Sequence, residues 1–408
     1  MPGMPSFFRV AIFFLAVSAG CSFQTARTAP LPLRPERGLW VPAEGENATL
    51  DDLEKIRVLV EKARAAGMTD LYVQVYRGGR AWYPTRLADE SPSLRAGRDP
   101  LAHLIGLSSS GGRSLRVHAW INAFSLAWNR EAPILKELGP EAVLRDLHGR
   151  SLLDYPRNGK PPWAPGFGLG TPAIYLDPAH PAVRRRVAEV AAELARRYPK
   201  LAGVHLDYIR YPYALPITPG SRFSPRLDFG YGKLAVERFR AETGRPAPLA
   251  GVQRSAADHQ AWDDWRRLQV TETVKEVDKT LRAQRSGALL SAAVLPWADR
   301  AYLSAFQDWR GWLQAGLLDK AVLMNYTRDE ALAAHISQGA PAWSHPRGGN
   351  GGRKGQMLIG LGAYLFEGDP EPVRRQWRAA LRPGVDGVVL FSYDAILRHD
   401  GFWKSPLP

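Results

Sequence analysis

The stretch from Leu201 to Pro212, LAGVHLDYIRYP, places a carboxylate at the end of an apolar run. The apolar residues fit a buried β-strand, while His205 and Asp207 share the opposite phase of its two-residue alternation and should point the same way. Polar residues directly after a buried strand are typical of the mouth of an α/β barrel, where active sites lie. Asp207 is therefore the first candidate for chemistry, although it could instead cap the next helix or pair with Arg210.

Eight short apolar runs alternate with helical patterns along the chain. The runs begin near Gly38, Asp70, Leu115, Val204, Ala288, Ala321, Met357 and Val385. The helical patterns include 181–198, 233–243, 259–285 and a single helix over 302–315. This alternation predicts an α/β fold of parallel strands, and eight strands favour a closed (β/α)8 TIM barrel with long loops at the C-terminal face of the strands. The alternative, an open doubly wound sheet, should carry a glycine-rich turn after its first strand, and Trp40–Ala43 offers none.

The composition fits one large globular domain. Of 408 residues, 45% are hydrophobic and 23% are charged, which is ordinary for a protein with a sizeable core. The formal charge of +14 favours contact with polyanions such as envelope polymers or anionic lipids. No nucleic-acid-binding motif and no dense basic run accompanies this charge, so nucleic acid is not expected as a partner.

The N-terminus has the pattern of an export signal. Arg9 precedes the apolar run 10–17, and Ser18-Ala19-Gly20 then leads into Cys21, the only cysteine. The run is too short to span a bilayer. It resembles a bacterial lipoprotein signal, with Cys21 as the lipidation site, although Ser18 stands where a branched apolar residue is usual. The alternative is ordinary cleavage that leaves a free thiol.

The sequence therefore divides into three parts. Residues 1–21 are expected to form the signal, 22–36 a flexible tether rich in Thr, Ala, Pro and Arg, and 37–408 a single barrel domain. Lipidation would anchor the exported protein to a membrane of the cell envelope. Ser22, rather than Asp, after the cysteine favours the periplasmic side of the outer membrane.

If the barrel closes, polar and aromatic residues at the strand ends meet on one face. The candidates for substrate binding are Gln74, Tyr76, Trp120, Asn122, His205, Arg210, Tyr211, Asn325, Tyr326, Tyr364 and Tyr393. Aromatic faces stack on sugar rings, and amides, carboxylates and arginines hydrogen-bond hydroxyls, so the mixture indicates a carbohydrate cleft. His118 and His205 lie on different strands without companion ligands, so neither a metal nor another cofactor is predicted.

Several stretches, in this order, resemble the glycosyl hydrolase-like 10 family of bacterial envelope proteins. They are YLDPAHPAVR (175–184), GVHLDYIRYP (203–212), WDDWRR (262–267), DWRGWLQAGLLDKAVLMNY (308–326) and IGLGAY (359–364). The resemblance spans nearly the whole chain after the tether. It implies a TIM-barrel glycosidase, lipid-anchored or secreted, with glycan strands of peptidoglycan as its substrate class. The family often has a second acidic residue where this chain has Tyr208.

Glycoside hydrolysis requires a proton donor and a second group that attacks or stabilises the anomeric carbon. Asp207 is predicted to be one of the two, with general acid as its favoured role. Strands five and six end without an obvious Glu, so Asp299, Glu367 and Asp394 remain candidates for the second group.

The acetamide of an N-acetylated sugar can also serve as the nucleophile. A chitinase family that works in this way is similar at the fourth strand and at Met324-Asn325-Tyr326, but its acidic Glu falls where this chain has Ile209 or Arg210. In such a mechanism Tyr326 and Asn325 would hold the acetamide and Trp120 would form the floor under the sugar. A different class of function remains open, namely a non-catalytic glycan-binding lipoprotein that uses the same cleft.

Overall fold

The computed structural model describes residues 35–217, 227–343 and 355–403, and the statements below concern these residues. The predicted signal with Cys21, and all but the end of the predicted tether, lie outside them. None of the described helices has both the length and the apolar character needed to cross a membrane.

Eight parallel strands close into a barrel, which confirms the predicted fold. The strands of the chain are β1 (Glu36–Val41), β2 (Asp70–Arg77), β3 (Arg80–Ala81), β4 (Asp89–Glu90), β5 (Arg116–Asn122), β6 (Phe167–Leu169), β7 (Gly203–Asp207), β8 (Ala214–Pro216), β9 (Leu289–Val294), β10 (Lys320–Asn325), β11 (Gln356–Gly362) and β12 (Gly387–Phe391). The barrel order is β1-β2-β5-β7-β9-β10-β11-β12, and β12 pairs with β1 to close it. β3 and β4 extend β2, and β6 pairs with β8 in a separate antiparallel ribbon.

Helices connect the barrel strands. They are α1 (Leu53–Ala65), α2 (Pro92–Arg95), α3 (Pro100–Ser109), α4 (Pro133–Leu138), α5 (Pro181–Arg197), α6 (Lys233–Thr243), α7 (Ala256–Gln284), α8 (Ala298–Ser304), α9 (Trp309–Gln314), α10 (Glu330–Gly339), α11 (Pro370–Ala380) and α12 (Tyr393–Leu397). The bounds predicted for α5, α6 and α7 agree within a few residues.

The single helix predicted over 302–315 is wrong, because the chain forms the two short helices α8 and α9 instead. Phe306, with φ of 52°, breaks the helical path between them. The side chain of Gln307 accepts the N–H of Leu295 at 2.9 Å and donates to the carbonyl of Ala293 at 3.2 Å. These hydrogen bonds hold the break beside the end of β9. They explain why the helical periodicity of the segment does not give one continuous helix.

Large side chains fill the barrel interior beneath the C-terminal ends of the strands. Trp40, Tyr72 and Trp120 pack there with aliphatic residues from β9 to β12. A Cβ at position 360 would lie 2.7 Å from the Trp40 ring, so Gly360 on β11 allows the indole to lie across the barrel. The interior is therefore filled up to Trp40 and Trp120, which face the C-terminal end of the barrel.

A buried charged cluster closes the opposite, N-terminal end of the barrel. Lys320 is fully buried, contacts the carboxylate of Glu36 and lies 3.8 Å from Asp70 Oδ1. Arg116 pairs with both carboxylates, and His118 Nε2 lies 2.7 Å from Asp70 Oδ1. Burial alone would raise the pKa of Asp70, but the bond from His118 and the positive charges hold it below its usual value. Four strands, β1, β2, β5 and β10, thus contribute charged groups that pair with one another across this end of the barrel.

The WDDWRR stretch of α7 anchors a long loop. Arg266 is 2% exposed, bonds Asp228 Oδ1 at 2.8 Å and Asp263 Oδ1 at 2.7 Å, and lies 4.3 Å from the Phe306 ring centroid. Gly230, with φ of 107°, packs directly against the Arg266 side chain. The motif therefore fixes the loop that precedes α6 against the barrel.

Candidate active site

A cleft of about 540 Å³ lies at the C-terminal ends of the barrel strands. Seven residues predicted from the sequence line it: Gln74, Trp120, Asn122, Asp207, Arg210, Tyr326 and Tyr364. They come from β2, β5 and β7 and from the residues after β7, β10 and β11, so the barrel gathers side chains that are far apart in the sequence. This is the face on which barrels of this type hold their functional groups.

Asp207 is the last residue of β7 and is 8% exposed. Its Oδ1 accepts the backbone N–H of Tyr208 at 2.7 Å, whereas Oδ2 has no hydrogen-bond partner among the described residues. Burial raises the pKa of Asp207 to about 6, although the charge of Arg210 and the Tyr208 N–H oppose that shift. The indole N–H of Trp120 also approaches the carboxyl group without completing a hydrogen bond. The group is therefore poised to exchange a proton near neutral pH.

Two amide side chains beside Asp207 are held in fixed orientations. Gln74 Oε1 accepts the N–H of Ala43 at 3.2 Å, and Gln74 Nε2 donates to Asn122 Oδ1 at 3.1 Å. Asn122 is the register partner of Asp207 on the neighbouring strand. This chain of bonds leaves the Asn122 Nδ2 group as a donor beside the carboxyl group.

Aromatic rings form the floor of the cleft. Phe391 lies 5.9 Å from Trp40, 6.3 Å from Trp120 and 5.6 Å from Tyr326, measured between ring centroids. Tyr364, about half exposed, meets both Tyr326 and Phe391 edge-on at 5.9 Å. Such a surface offers apolar contact to the faces of sugar rings while hydroxyl and amide groups surround it.

His205 lies one layer below this floor, on the same side of β7 as Asp207, as the alternation predicts. Trp40 Nε1 donates to His205 Nε2 at 3.1 Å, and His205 Nδ1 lies 2.9 Å from Ser291 Oγ. Burial keeps the pKa of His205 well below its ordinary value, so the ring is neutral. The histidine therefore holds the Trp40 indole and does not itself line the cleft.

Two other predicted residues point away from the cleft because of strand phase. The register of β2 against β5 shifts between Gln74 and Tyr76, so this bulge carries Tyr76 to the outer face of the strand, near Arg186. Asn325 has the opposite phase to Tyr326, and its Nδ2 donates to the carbonyl of Ala333 on α10 at 2.9 Å. Neither side chain lines the cleft.

Tyr211 and Tyr393 are buried in other parts of the fold. The Tyr211 ring packs edge-on against Phe306 at 5.2 Å, below the loop that Arg266 anchors. Tyr393 begins α12 and packs against Trp403 at 6.2 Å. Their positions are structural, since each fills a gap between the barrel and its outer elements.

The three candidates for a second acidic group also lie outside the cleft. Asp299 is exposed in the first turn of α8, on the groove between α8 and α9. Glu367 is exposed, with φ of 49°, and lies 3.4 Å from Arg328. Asp394 accepts the backbone N–H of Asn47 at 3.3 Å. Among the described residues Asp207 is the only carboxylate that lines the cleft. The residues that the structure does not describe, 1–34, 218–226, 344–354 and 404–408, include neither Asp nor Glu.

Several residues that line the cleft were not predicted from the sequence. They include Trp40, Arg77, Tyr208, Tyr213, Trp297, Arg300 and Phe391. Trp40 and Phe391 are register partners at the ends of β1 and β12, so the strand pattern contained a signal for both. Trp297 and Arg300 come from the connection after β9, where no periodicity indicates which side chains face the cleft.

The sequence matches a family model and several named relatives. The model, described as glycosyl hydrolase-like 10, matches residues 35–377. Glycosyl hydrolase YngK of Bacillus subtilis (strain 168) is 24% identical over 355 residues, which cover 82% of this chain and 60% of YngK. Glycosyl hydrolase DigH of Escherichia coli (strain K12) is 23% identical over 352 residues, which cover 81% of this chain and 69% of DigH.

Solved structures share the fold at low sequence identity. The catalytic domain of β-amylase from Paenibacillus polymyxa superposes with a TM-score of 0.57 at 10% identity, covering 88% of this chain and 92% of that domain. The α-L-fucosidase isoenzyme 2 of Paenibacillus thiaminolyticus gives a TM-score of 0.54 at 13% identity, covering 91% of this chain and 47% of that protein. At such identities the likeness establishes the barrel fold alone.

Proposed function

This chain belongs to the glycosyl hydrolase-like 10 family, and we propose that it hydrolyses glycosidic bonds in the glycan strands of bacterial peptidoglycan, with Asp207 as the general acid. The observation that carries the proposal is the Asp207 carboxyl group, which is buried at the end of β7 in a cleft floored by aromatic rings. Its raised pKa keeps a proton available for the leaving oxygen.

Among the described residues no carboxylate other than Asp207 lines the cleft, which supports a mechanism that uses the substrate's own acetamide. Asp207 Oδ2 would give its proton to the glycosidic oxygen as the bond to the anomeric carbon breaks, and the acetamide oxygen would bond to that carbon. A water molecule would then add to the anomeric carbon as its bond to the acetamide oxygen breaks, and would return a proton to Asp207. Tyr326 and the Nδ2 group of Asn122 face the cleft as donors that could orient the acetamide, a task for which Asn325 points the wrong way.

The aromatic floor supports a saccharide substrate. Trp40, Trp120 and Phe391 present a continuous apolar surface, and the amides above it suit hydroxyl and acetamide groups. The test is to incubate the protein with purified peptidoglycan and with glycan strands stripped of peptides, and to measure new reducing ends. If neither preparation releases new reducing ends, the proposed hydrolysis is overturned.

A second candidate function is that of a non-catalytic glycan-binding protein. Asp207 is the single carboxylate that the described residues contribute to the cleft, which favours this function because hydrolysis by protein groups alone needs a pair of carboxylates. In the same incubation, strands that bind to the protein without releasing reducing ends would support this alternative.

The pH dependence of hydrolysis distinguishes the roles open to Asp207. A general acid works in its protonated form, so kcat is expected to fall by about tenfold per unit as the pH rises above the Asp207 pKa, about 6. A nucleophile or base at the same position would lose activity in the opposite direction, as the pH falls below that value. A kcat profile from pH 4 to pH 9 on glycan strands decides between them, and a loss of activity only on the acid side would contradict the assignment.

We also propose that the protein is exported and anchored in the cell envelope through a lipid on Cys21, on the periplasmic side of the outer membrane. The apolar run before Cys21 and the Pro-rich stretch after it support this location, which would bring the cleft to the cell wall. Labelling of growing cells with a radioactive fatty acid should mark the protein, and the label should be lost in Cys21→Ser.

A further inference from the structure

The cleft contains more positive than negative charge. Its lining includes three arginines, Arg77, Arg210 and Arg300, but Asp207 is its only carboxylate among the described residues. Arg77 is neutralised by Glu44, whose Oε2 lies 3.1 Å from Arg77 Nε. Arg210 and Arg300 make no ion pair with a described residue, and the undescribed parts of the chain contain no Asp or Glu.

Arg210 is a buried arginine that hydrogen bonds hold in place. It is 2% exposed, and its guanidinium donates to Tyr175 OH at 3.3 Å, to the carbonyl of Tyr211 at 3.4 Å and to Thr171 Oγ1 at 3.0 Å. All three acceptors are neutral. Of the five N–H donors of a guanidinium, two therefore have no protein acceptor, and the buried Nε is one of them. The carboxylate nearest to it, Asp207, makes no ion pair with it. A buried cation without a contacting counter-charge is unfavourable, and an anionic ligand would relieve that cost.

Arg300 lies near the same tyrosine ring as Arg210. It is exposed on α8 at the rim of the cleft, and its guanidinium carbon lies 6.0 Å from the centroid of the Tyr213 ring. The guanidinium carbon of Arg210 lies 5.3 Å from that centroid. The cleft wall at Tyr213 thus has a buried cation and an exposed cation beside the same ring.

We propose that Arg210 and Arg300 form a carboxylate-binding subsite beside Tyr213, so that the cleft selects saccharides that carry a free carboxylate. The inference rests on the proposed function and adds to it the feature of the sugar that is recognised. Two guanidinium groups suit a carboxylate because their planar donors match its two oxygens. Cell-wall glycan carries such a group on its muramic acid residues, as a carboxyl-bearing ether.

A bound carboxylate would also act on the neighbouring catalytic group. The charged groups near Asp207 are Arg210 and Arg77, both of which lower its pKa, while the nearby hydroxyls of Tyr208 and Tyr326 are held neutral by burial. A carboxylate on Arg210 would offset part of that positive field. Asp207 would then keep its proton to a higher pH when the acidic sugar is bound.

The test compares one glycan in two forms. Glycan strands with free carboxylates and the same strands after reduction of those carboxylates to alcohols are offered to the unmodified protein, to Arg300→Gln and to Arg196→Gln. We expect the unmodified protein to prefer the carboxylated strands by about 10- to 100-fold in kcat/KM. Arg300→Gln should reduce this ratio towards one, while Arg196→Gln, which removes an exposed arginine of α5 outside the cleft, should keep it.

A second readout is the pH at which kcat has fallen by half. In the unmodified protein it should be higher on carboxylated than on reduced strands, and the difference should shrink in Arg300→Gln. Equal kcat/KM on both forms, or an equal loss on both forms in Arg300→Gln, would overturn the subsite while leaving the proposed hydrolysis intact. If neither form is cleaved, the proposed hydrolysis fails, and dissociation constants for the two forms decide the subsite on the same criteria.

Discussion

Asp207→Asn is expected to lower kcat on glycan strands by about 10²- to 10⁴-fold, the usual contribution of a positioned general acid. Asn has nearly the same shape as Asp and can still accept the backbone N–H of Tyr208, so the end of β7 should keep its conformation. It cannot donate a proton to the leaving oxygen. The measurement is the initial rate of reducing-end release, together with the affinity of the variant for the strands, which should change little.

Asp299→Asn is a matched control, because the same chemical change is made on α8 at a carboxylate that does not line the cleft. This variant should cleave at the rate of the unmodified protein. The same is expected of Glu367→Gln and Asp394→Asn, whose carboxylates also lie outside the lining. An inactive Asp299→Asn beside an active Asp207→Asn would reverse the assignment of the acid.

Lys320→Met is expected to destabilise the barrel by about 3–5 kcal/mol. The ammonium of Lys320 lies at the N-terminal end of the barrel between the buried carboxylates of Glu36 and Asp70. Met fills a similar volume but removes the charge, which leaves Arg116 as the remaining cation in contact with both carboxylates. The free energy of unfolding, from urea denaturation followed by circular dichroism near pH 7, measures the loss.

Lys275→Met provides the comparison. Lys275 pairs with Glu272 on the exposed side of α7, where an ion pair contributes about 1 kcal/mol or less. Adding Glu36→Gln to Lys320→Met should restore part of the stability, because one unpaired carboxylate is removed with it. Equal losses in Lys320→Met and Lys275→Met would show that the charged cluster does not hold the barrel closed.

The strand pattern of the sequence was sufficient to predict the barrel. Residues 321–323 and 357–362, from two of the apolar runs, are buried on both faces, because helices cover the outside and packed side chains fill the inside. The same alternation correctly placed His205 and Asp207 on one side of β7. The alternation predicts side-chain direction reliably within the strands, because one face of each strand packs inside the barrel and the other packs against the helices.

The candidate site was predictable only where strand phase continued unbroken to the rim. The bulge between Gln74 and Tyr76 turns Tyr76 outward, and no residue in that stretch signals the extra twist. Tyr208 adopts a positive φ of 53° directly after Asp207, so the alternation ends there. Beyond these points the positions of the side chains depend on long-range contacts, such as the bonds of Gln307, that no short pattern encodes.

Loops contributed the charge that the strand pattern missed. Arg300 lies on α8 and Trp297 is the residue before it, and both line the cleft although they precede the helix predicted over 302–315. The cleft thus combines an acid and amides placed by the barrel with cations and aromatic rings placed by its connections. Such a division is usual in barrels, in which the strands fix the chemistry and the loops set the choice of substrate.

The most direct test is the release of reducing ends by the unmodified protein from N-acetylated glycan strands and from the same strands after N-deacetylation. If the Asp207 cleft works with the acetamide of the substrate, the acetylated strands will be cleaved and the deacetylated strands will be left intact. Equal cleavage of both would contradict the mechanism, and tight binding to the acetylated strands without any new reducing ends would contradict hydrolysis itself.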